Sequence, residues 1–103
     1  MNKIDSLLSL ASRARKLISG AEMVEKDIKS LKRKTKLIIL AEDAKDTVKE
    51  IIKYNAEKYN VDLIEYATKK DLGHYIGKAE RSVIGITDES FKDGIIKCRK
   101  GSD

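Results

Sequence analysis

Leu37-Ile-Ile-Leu-Ala41 is a continuous apolar run in a chain of which 38% of the residues are charged. A short run of this kind is typical of a strand that is covered on both faces of a sheet. Further along, Val61-Asp-Leu-Ile-Glu-Tyr66 and Ser82-Val-Ile-Gly-Ile86 predict two more strands. The short stretch Lys16-Leu-Ile18 predicts a small edge strand. Together these four segments predict one sheet.

Helical patterns separate the predicted strands. Residues 3–15 carry apolar side chains at helical spacing, and a second helix follows Ser19-Gly20. A third is predicted with Asp46 or Thr47 as its cap and stops near Asn60. The fourth has a capping-type start at Thr68-Lys-Lys-Asp71 and ends at Gly77, and the fifth begins at Asp88. This alternation predicts an α/β fold, a three-layer α-β-α sandwich with a mixed, mostly four-stranded sheet, in one domain over residues 1–103 with a frayed tail at 99–103.

The start of the second helix matches two local patterns. Ser19-Gly-Ala-Glu22 fits a capping box, in which Ser19 is the N-cap and Glu22 reaches back to its amide. Ile18 and Met23 fit a hydrophobic staple. The predicted buried face is Ala21, Val24, Ile28 and Leu31, and the predicted outer stripe is Glu22, Lys26, Lys29 and Arg33.

The formal net charge of +5 is unevenly distributed. Residues 1–36 hold ten Lys/Arg against four acids, a balance of +6, and residues 37–103 hold twelve against thirteen, a balance of −1. Such a concentration of positive charge suits a polyanion such as RNA, or an anionic surface. A solvated basic face is the plainer alternative.

Several classes of function are disfavoured by the residues present. The apolar patch Leu7-Leu-Ser-Leu-Ala11 is too short for a membrane span or a secretory signal, so a cytoplasmic chain is expected. Cys98 and His74 are the only residues of their types, which excludes a disulfide framework and a metal cluster of such ligands. Gly73–Ala79 lacks the spacing and the Ser or Thr of a phosphate loop. We therefore predict a non-enzymatic protein without a cofactor.

The order of these segments resembles a known RNA-binding family. Its anchors are Lys16 with Gly20, then Ala41-Glu42-Asp43, then Leu72-Gly73 with Gly77-Lys78, and the similarity covers roughly residues 4–92. The chain resembles the kink-turn-binding ribosomal proteins of the L7Ae/L30e family, most closely their small bacterial YlxQ-type members. The resemblance implies a ribonucleoprotein role for the domain, with ribosomal or kink-turn RNA, or the ribosome, as partner.

The family's RNA-reading helix begins with the pattern Gly-x-Asn-Glu-x-x-Lys, or with Lys-Gln in place of Asn-Glu. Gly20 and Lys26 match this pattern. Glu22 stands at the Asn position and Met23 at the Glu position, so both base-reading side chains differ. The family's second contact, the loop before the last strand, corresponds to residues 77–82, which are polar and charged here.

Two functions follow as hypotheses. The first is binding of structured RNA through helix-start amides and cations, with Lys32, Arg33 and Lys34 as outer steering charges. The second is a protein-interaction adaptor that keeps the fold but has lost kink-turn readout. The candidate RNA-binding residues are Lys16, Ser19, Gly20, Glu22, Met23, Lys26, Lys29, Arg33, Lys78, Ala79, Glu80 and Arg81.

Overall fold

A computed structural model describes residues 2–101 and contains five helices and four strands over that range. In chain order the elements are α1 (Lys3–Arg13), β1 (Leu17–Ser19), α2 (Ala21–Lys29), β2 (Leu37–Leu40), α3 (Asp46–Lys58), β3 (Asp62–Glu65), α4 (Lys69–Tyr75), β4 (Val83–Ile86) and α5 (Glu89–Gly101).

The four strands form one mixed sheet in the order β1-β4-β2-β3. Strand β4 runs antiparallel to both of its neighbours, whereas β2 and β3 are parallel. The helices pack in two groups, α2 with α3, and α1 with α4 and α5. The predicted α/β fold and its mixed four-stranded sheet are therefore confirmed.

The two central strands supply the core of the molecule. All residues of β2 and β4 are buried, because helices cover both faces of the sheet at its centre. The outer strands β1 and β3 are only partly buried. The apolar run at Leu37–Ala41 is therefore explained by burial on both faces of the sheet, as predicted.

Helix α4 is held at its start by two side chains. The Thr68 hydroxyl accepts a hydrogen bond from the Asp71 amide at 3.1 Å, as the capping pattern predicted. A carboxylate oxygen of Asp43 accepts from the Lys69 amide at 2.8 Å, although these residues are 26 positions apart. Asp43, which the resemblance marked as part of a motif, therefore connects the end of β2 to the start of α4.

Other predicted helix ends differ from the structure. Helix α3 starts after Lys45 without a side-chain cap, so Asp46 is its first residue and not its N-cap. Leu31 lies beyond the end of α2 and is fully exposed, although it was predicted to be buried. Residues 99–101 are the last residues of α5, where a frayed tail was predicted, and residues 102 and 103 lie outside the described range.

A polar cluster around the buried Asp5 joins α1 to the end of β3. The Tyr66 hydroxyl donates to the Asp5 carboxylate and accepts from the Asn2 amide nitrogen at 2.9 Å. Burial, reinforced by the neighbouring Asp5 carboxylate, raises the pKa of Tyr66 to about 12. Asn2 also caps α1, because its side-chain oxygen accepts from the Asp5 amide at 2.9 Å. The cluster fixes α1 against the sheet.

Asp27 and Thr35 lock α2 to the centre of the sheet. The Asp27 carboxylate accepts from the Thr35 amide at 2.8 Å, from the Thr35 hydroxyl at 2.7 Å and from the Lys34 amide at 3.1 Å. Thr35 is buried against Gly85, where a Cβ atom would come within 2.8 Å of the Thr35 hydroxyl oxygen. Gly85 therefore leaves the space in which this connection forms.

Gly73 allows the loop before β4 to close onto α4. A Cβ atom at Gly73 would lie 2.1 Å from the carbonyl oxygen of Ala79, a distance that no stable contact permits. The Lys78 amide also donates to the Gly73 carbonyl at 2.8 Å. The path of residues 77–81 therefore depends on the absence of a side chain at position 73.

Within residues 2–101, no helix combines the length and the apolar composition needed to cross a membrane.

Acid should weaken the Asp27 connection. Partial burial alone would raise the pKa of Asp27, but hydrogen bonds from Thr35 and Lys34 outweigh it and lower that pKa below its ordinary value of 3.8. Its stabilising contribution is therefore complete above pH 3.8 and is lost as the pH falls through the lowered value. We expect Asp27→Asn to cost roughly 1–2 kcal/mol at neutral pH. Chemical unfolding followed by circular dichroism at several pH values measures both effects, and Asp93→Asn, on the exposed face of α5, is the control.

Two helical glycines should respond oppositely to alanine. Gly73→Ala should destabilise the protein by more than about 2 kcal/mol, because the new methyl group collides with backbone. Gly94→Ala should be neutral or stabilise by up to about 1 kcal/mol, since its Cβ would meet only a Leu7 methyl at 3.4 Å. Thermal unfolding of both variants measures the difference, and equal effects would contradict the close approach at Gly73.

Candidate nucleic-acid interface

One end of the sheet brings together the start of α2 and the loop before β4. The carboxyl ends of β1, β2 and β3 and the amino end of β4 meet there, because β4 runs antiparallel to β1 and β2. The start of α2, residues 41–45, residues 66–68 and the loop 76–82 all leave the sheet at this end. We call this end the helix-start end.

Gly20 begins α2 in a backbone conformation that glycine alone adopts readily. Its φ is 103° and its ψ is 137°, and it is the N-cap of α2 without a side-chain cap hydrogen bond. The Gly20 amide donates to the Val83 carbonyl at 2.9 Å, and the Gly20 carbonyl accepts the first helical hydrogen bond from Val24 at 3.0 Å. Unlike the starts of α1 and α4, the start of α2 carries no capping side chain.

The predicted capping box and staple at this helix start are therefore wrong. Ser19 belongs to β1, and its hydroxyl oxygen accepts from the Arg81 Nε at 3.2 Å instead of capping α2. Met23 is 58% exposed and does not pack as a staple residue should. The pattern misled because strand pairing with β4 continues to Gly20, which moves the cap one residue along.

Arg81 holds the loop before β4 beside the start of α2. Its Nη1 donates to the carbonyls of Ala79 at 3.2 Å and Glu80 at 2.9 Å, and its backbone amide donates to the Lys69 carbonyl at 3.1 Å. With the Ser19 contact, the guanidinium is bonded on several sides and is half-buried. Arg81 therefore positions this loop, and it contacts the backbone carbonyl of Glu80.

The loop presents three side chains to solvent. Lys78, Ala79 and Glu80 are all exposed. None of them takes part in an ion pair among residues 2–101. They are therefore free to meet a ligand that lies against the helix-start end.

On α2 itself, Glu22, Met23 and Lys26 are exposed. Met23 and Lys26 line a shallow hollow of about 310 Å³ between α2 and β1, and the rest of its lining is Ile18, Asp27, Ser30 and Lys34. The first turn of α2 thus carries one acid, one flexible apolar side chain and one cation. Gly20, Glu22, Met23 and Lys26 are brought together as the sequence suggested.

Lys29 faces a different direction from Lys26. Its ammonium lies 2.7 Å from the Glu25 carboxylate, and this hydrogen-bonded partner raises the pKa of Lys29. Glu25 and Lys29 line a groove against Tyr54 and Lys58 of α3. The structure therefore places Lys29 away from the loop before β4, with its charge already paired.

Arg33 also lies apart from the other candidates. It follows the end of α2, where its Nε donates to the Ile28 carbonyl at 2.9 Å and its guanidinium lies 5.3 Å from the centre of the Tyr59 ring. These contacts bind Arg33 back onto the fold at the end of α2 opposite to Gly20. The predicted outer stripe is broken, because the helix ends at Lys29.

Lys16 stands at the far end of β1 from Gly20. Its carbonyl accepts from the Thr87 amide at 2.9 Å, beyond the carboxyl end of β4. Four residues of extended chain separate it from Gly20, which is roughly 13 Å at about 3.3 Å per residue. The structure thus does not bring Lys16 to the start of α2.

Two cations at the helix-start end escaped sequence reasoning. Lys45 precedes α3 and is exposed, and Lys69 begins α4 and accepts the Arg81 amide through its carbonyl. The strand order could have predicted them, because residues that follow parallel strands meet at one edge of a sheet. Both lysines occupy such positions, after β2 and β3.

The groups exposed at the helix-start end are suited to binding an anion. Backbone amides, lysine ammonium groups and hydroxyls are donors suited to phosphate and carbonyl oxygens. No group of three or more His, Cys, Asp or Glu residues within residues 2–101 could hold a metal ion. His74, which would be the natural general base, is exposed on α4 and forms no side-chain hydrogen bond among the described contacts.

The chain is similar to known proteins over most of its length. A family model described as "Ribosomal protein L7Ae/L30e/S12e/Gadd45 family" matches residues 2–96. The RNA-binding protein YlxQ of Bacillus subtilis (strain 168) is 36% identical over 90 residues, covering 87% of this chain and 88% of that protein. The RNA-binding protein YlxQ of Enterococcus faecium is 36% identical over 89 residues, covering 86% and 84%.

Solved structures share the same architecture. A protein of unknown function from Bacillus halodurans C superposes with a TM-score of 0.87 at 34% identity, covering 93% of this chain and 95% of that one. The Giardia lamblia 15.5kD RNA binding protein superposes with a TM-score of 0.75 over 94% of this chain and 82% of that one, and its 18% identity supports the fold alone.

The predicted family resemblance is confirmed by a match that spans nearly the whole chain, and this family is non-enzymatic, as the sequence indicated. The protein belongs to the ribosomal protein L7Ae/L30e/S12e/Gadd45 family.

Proposed function

We propose that this protein binds structured RNA, kink-turn-like or ribosomal, through the start of α2 and the loop before β4. The observation that carries the proposal is the start of α2, where Gly20 leaves the first amides without a side-chain cap beside the loop that Arg81 holds. Helix-start amides and the positive end of the helix dipole favour a phosphate group at such a position. The names of the YlxQ relatives point in the same direction.

The residues at this end divide into positioning and contacting groups. Ser19 and Arg81 hold the two parts of the interface together through their 3.2 Å hydrogen bond. Lys26 and Lys78 are exposed cations on the two parts, and each would neutralise one phosphate. The proposed binding therefore draws most of its free energy from the RNA backbone.

The first turn of α2 argues against strong reading of bases. Met23 has no strong hydrogen-bond acceptor for a guanine edge, and Glu22 places a negative charge near the phosphates. In the resembled family the loop before the last strand is usually apolar and packs on flipped-out nucleotides. Ala79 and Glu80 offer little apolar surface for such a contact. We therefore propose recognition of RNA shape and backbone, with weaker kink-turn discrimination than the family pattern provides.

An exposed patch on α3 favours the second hypothesis, a protein-interaction adaptor. Ile51 is 47% exposed and Tyr54 is 66% exposed on the groove between α2 and α3. Large exposed apolar side chains of this kind are common at protein contacts. This patch lies on a different surface from Gly20 and Lys78, so an adaptor role and RNA binding can be tested separately.

Removing two charges at the interface should weaken RNA binding in a salt-dependent way. We expect the double variant Lys26→Gln with Lys78→Gln to reduce the magnitude of the negative slope of log affinity against log salt by about 1.4–1.8 for ribosomal RNA. The control is Lys3→Gln with Lys97→Gln, two exposed lysines on α1 and α5 with the same change of net charge. Filter binding over a salt series measures both slopes.

Equal slopes for the two double variants would overturn the assignment of the interface. A wild-type protein that retains no ribosomal or kink-turn RNA at low salt would overturn RNA binding altogether. In that case an Ile51→Asp variant, tested for loss of a co-purifying protein, addresses the adaptor hypothesis.

Placing the family's Asn and Glu at positions 22 and 23 should increase the preference for kink-turn RNA. We expect Glu22→Asn with Met23→Glu to bind a kink-turn RNA at least tenfold more tightly than the wild type, because one well-placed base contact contributes about 1–3 kcal/mol. In the resembled family this pair of side chains reads sheared G·A pairs, so an RNA in which Watson–Crick pairs replace the G·A pairs should show no such gain. Isothermal titration with both RNAs measures the difference, and an equal gain with both would contradict base reading at this helix start.

A further inference from the structure

The end of the sheet opposite to the helix-start end carries most of the basic excess of the chain. The amino ends of β1 and β2 and the carboxyl end of β4 meet there, and two basic connections leave the sheet at that point. We call the exposed cations of these two connections the basic sheet end; they are Arg15, Lys16, Lys32, Lys34 and Lys36. None of them forms an ion pair among residues 2–101.

We propose that the basic sheet end is a second contact surface for the phosphate backbone of RNA, separate from the start of α2. The proposal rests on the proposed function for the identity of its partner. It adds a surface to that function, because the start of α2 and the loop before β4 contain none of these five residues.

The backbone that carries these cations is fixed by hydrogen bonds to β4. The Lys16 carbonyl accepts from the Thr87 amide at 2.9 Å, and the Lys36 amide donates to the Ile86 carbonyl at 2.7 Å. The two lysines thus flank the same end of β4 from the two neighbouring strands. Two strand spacings separate their backbones, roughly 10 Å, a span that long lysine side chains can adjust to successive phosphates.

The connection between α2 and β2 is equally constrained. The Lys34 and Thr35 amides donate to the Asp27 carboxylate, and the Lys32 amide donates to the Ser30 hydroxyl at 3.1 Å. Arg33 is bonded to the Ile28 carbonyl and packs over Tyr59. The side chains of Lys32, Lys34 and Lys36 are left outside, next to a fully exposed Leu31.

Neighbouring acids offset only part of this charge. Asp27 accepts from the Thr35 and Lys34 amides and also attracts the Lys34 ammonium, Asp88 caps α5 by accepting from the Phe91 amide at 3.0 Å, and Asp62 pairs with Lys92 at 3.1 Å. Repulsion among uncompensated like charges disfavours the compact fold. A bound polyanion would relieve that repulsion.

An RNA backbone fits this surface better than a lipid bilayer does. The cations lie at one end of the sheet, and Leu31 is the one large exposed apolar side chain among them, which leaves little apolar surface to enter a bilayer. Lys34 also shares the hollow beside β1 with Lys26, so cations continue from the basic sheet end towards the start of α2.

The test compares two sets of charge removals on ribosomal RNA. Lys16→Gln, Lys34→Gln and Lys36→Gln together should reduce the magnitude of the salt slope of binding by about 2.1–2.7, since each lost phosphate contact removes about 0.7–0.9. The matched control removes three lysines elsewhere, Lys3→Gln, Lys53→Gln and Lys97→Gln. Circular dichroism should show the same fold and thermal stability at least equal to the wild type for the sheet-end variant.

The outcomes separate this proposal from the proposed function. A sheet-end variant that matches the control overturns the second surface, even if Lys26→Gln with Lys78→Gln still weakens binding. A sheet-end variant that loses slope while the Lys26 and Lys78 variant does not supports the second surface and overturns the helix-start interface. Wild-type protein that binds phosphatidylserine vesicles but not ribosomal RNA overturns both.

Discussion

The contact of Thr35 with Asp27 and Gly85 sets the geometry on which the rest of the molecule depends. Thr35 is buried in the space that Gly85 leaves open in the central strand β4, and its hydroxyl and amide bind the Asp27 carboxylate of α2. One residue therefore ties the last turn of α2 to the middle of the sheet. Because the first turn of α2 is joined to β4 through the Gly20 amide, both ends of the helix are held by the same strand.

This arrangement explains how a chain rich in charge keeps a short helix in one orientation. Helix α2 is 9 residues long, which is too short to be stable by itself. It buries only Val24 and Ile28 completely, so its direction depends on the contacts at its two ends. The exposed first turn, with Glu22, Met23 and Lys26, is consequently presented at a defined angle beside the loop that Arg81 holds.

The layers of the fold could be predicted from the sequence, because strand and helix periodicities are properties of neighbouring residues. The apolar run at Leu37–Ala41 and the cap at Thr68 were predicted correctly for that reason. The predictions failed where a distant contact decides a local choice. Ser19 bonds to Arg81, 62 positions away, instead of capping α2, and Arg33 turns back to Tyr59 instead of extending the helix stripe.

The contrast between neighbours in sequence and neighbours in space also applies to the candidate site. Charge counted along the chain placed the basic excess around the start of α2, since Lys16 and Lys32–Lys36 are close to it in sequence. In three dimensions β1 and α2 carry the chain from one end of the sheet to the other and back, so residues on either side of these elements lie at the far end. The start of α2 keeps Lys26 and gains Lys78 from the loop before β4. Sequence proximity is therefore a poor measure of electrostatic proximity in this fold, and an RNA backbone that follows the positive charge must reach beyond the helix start.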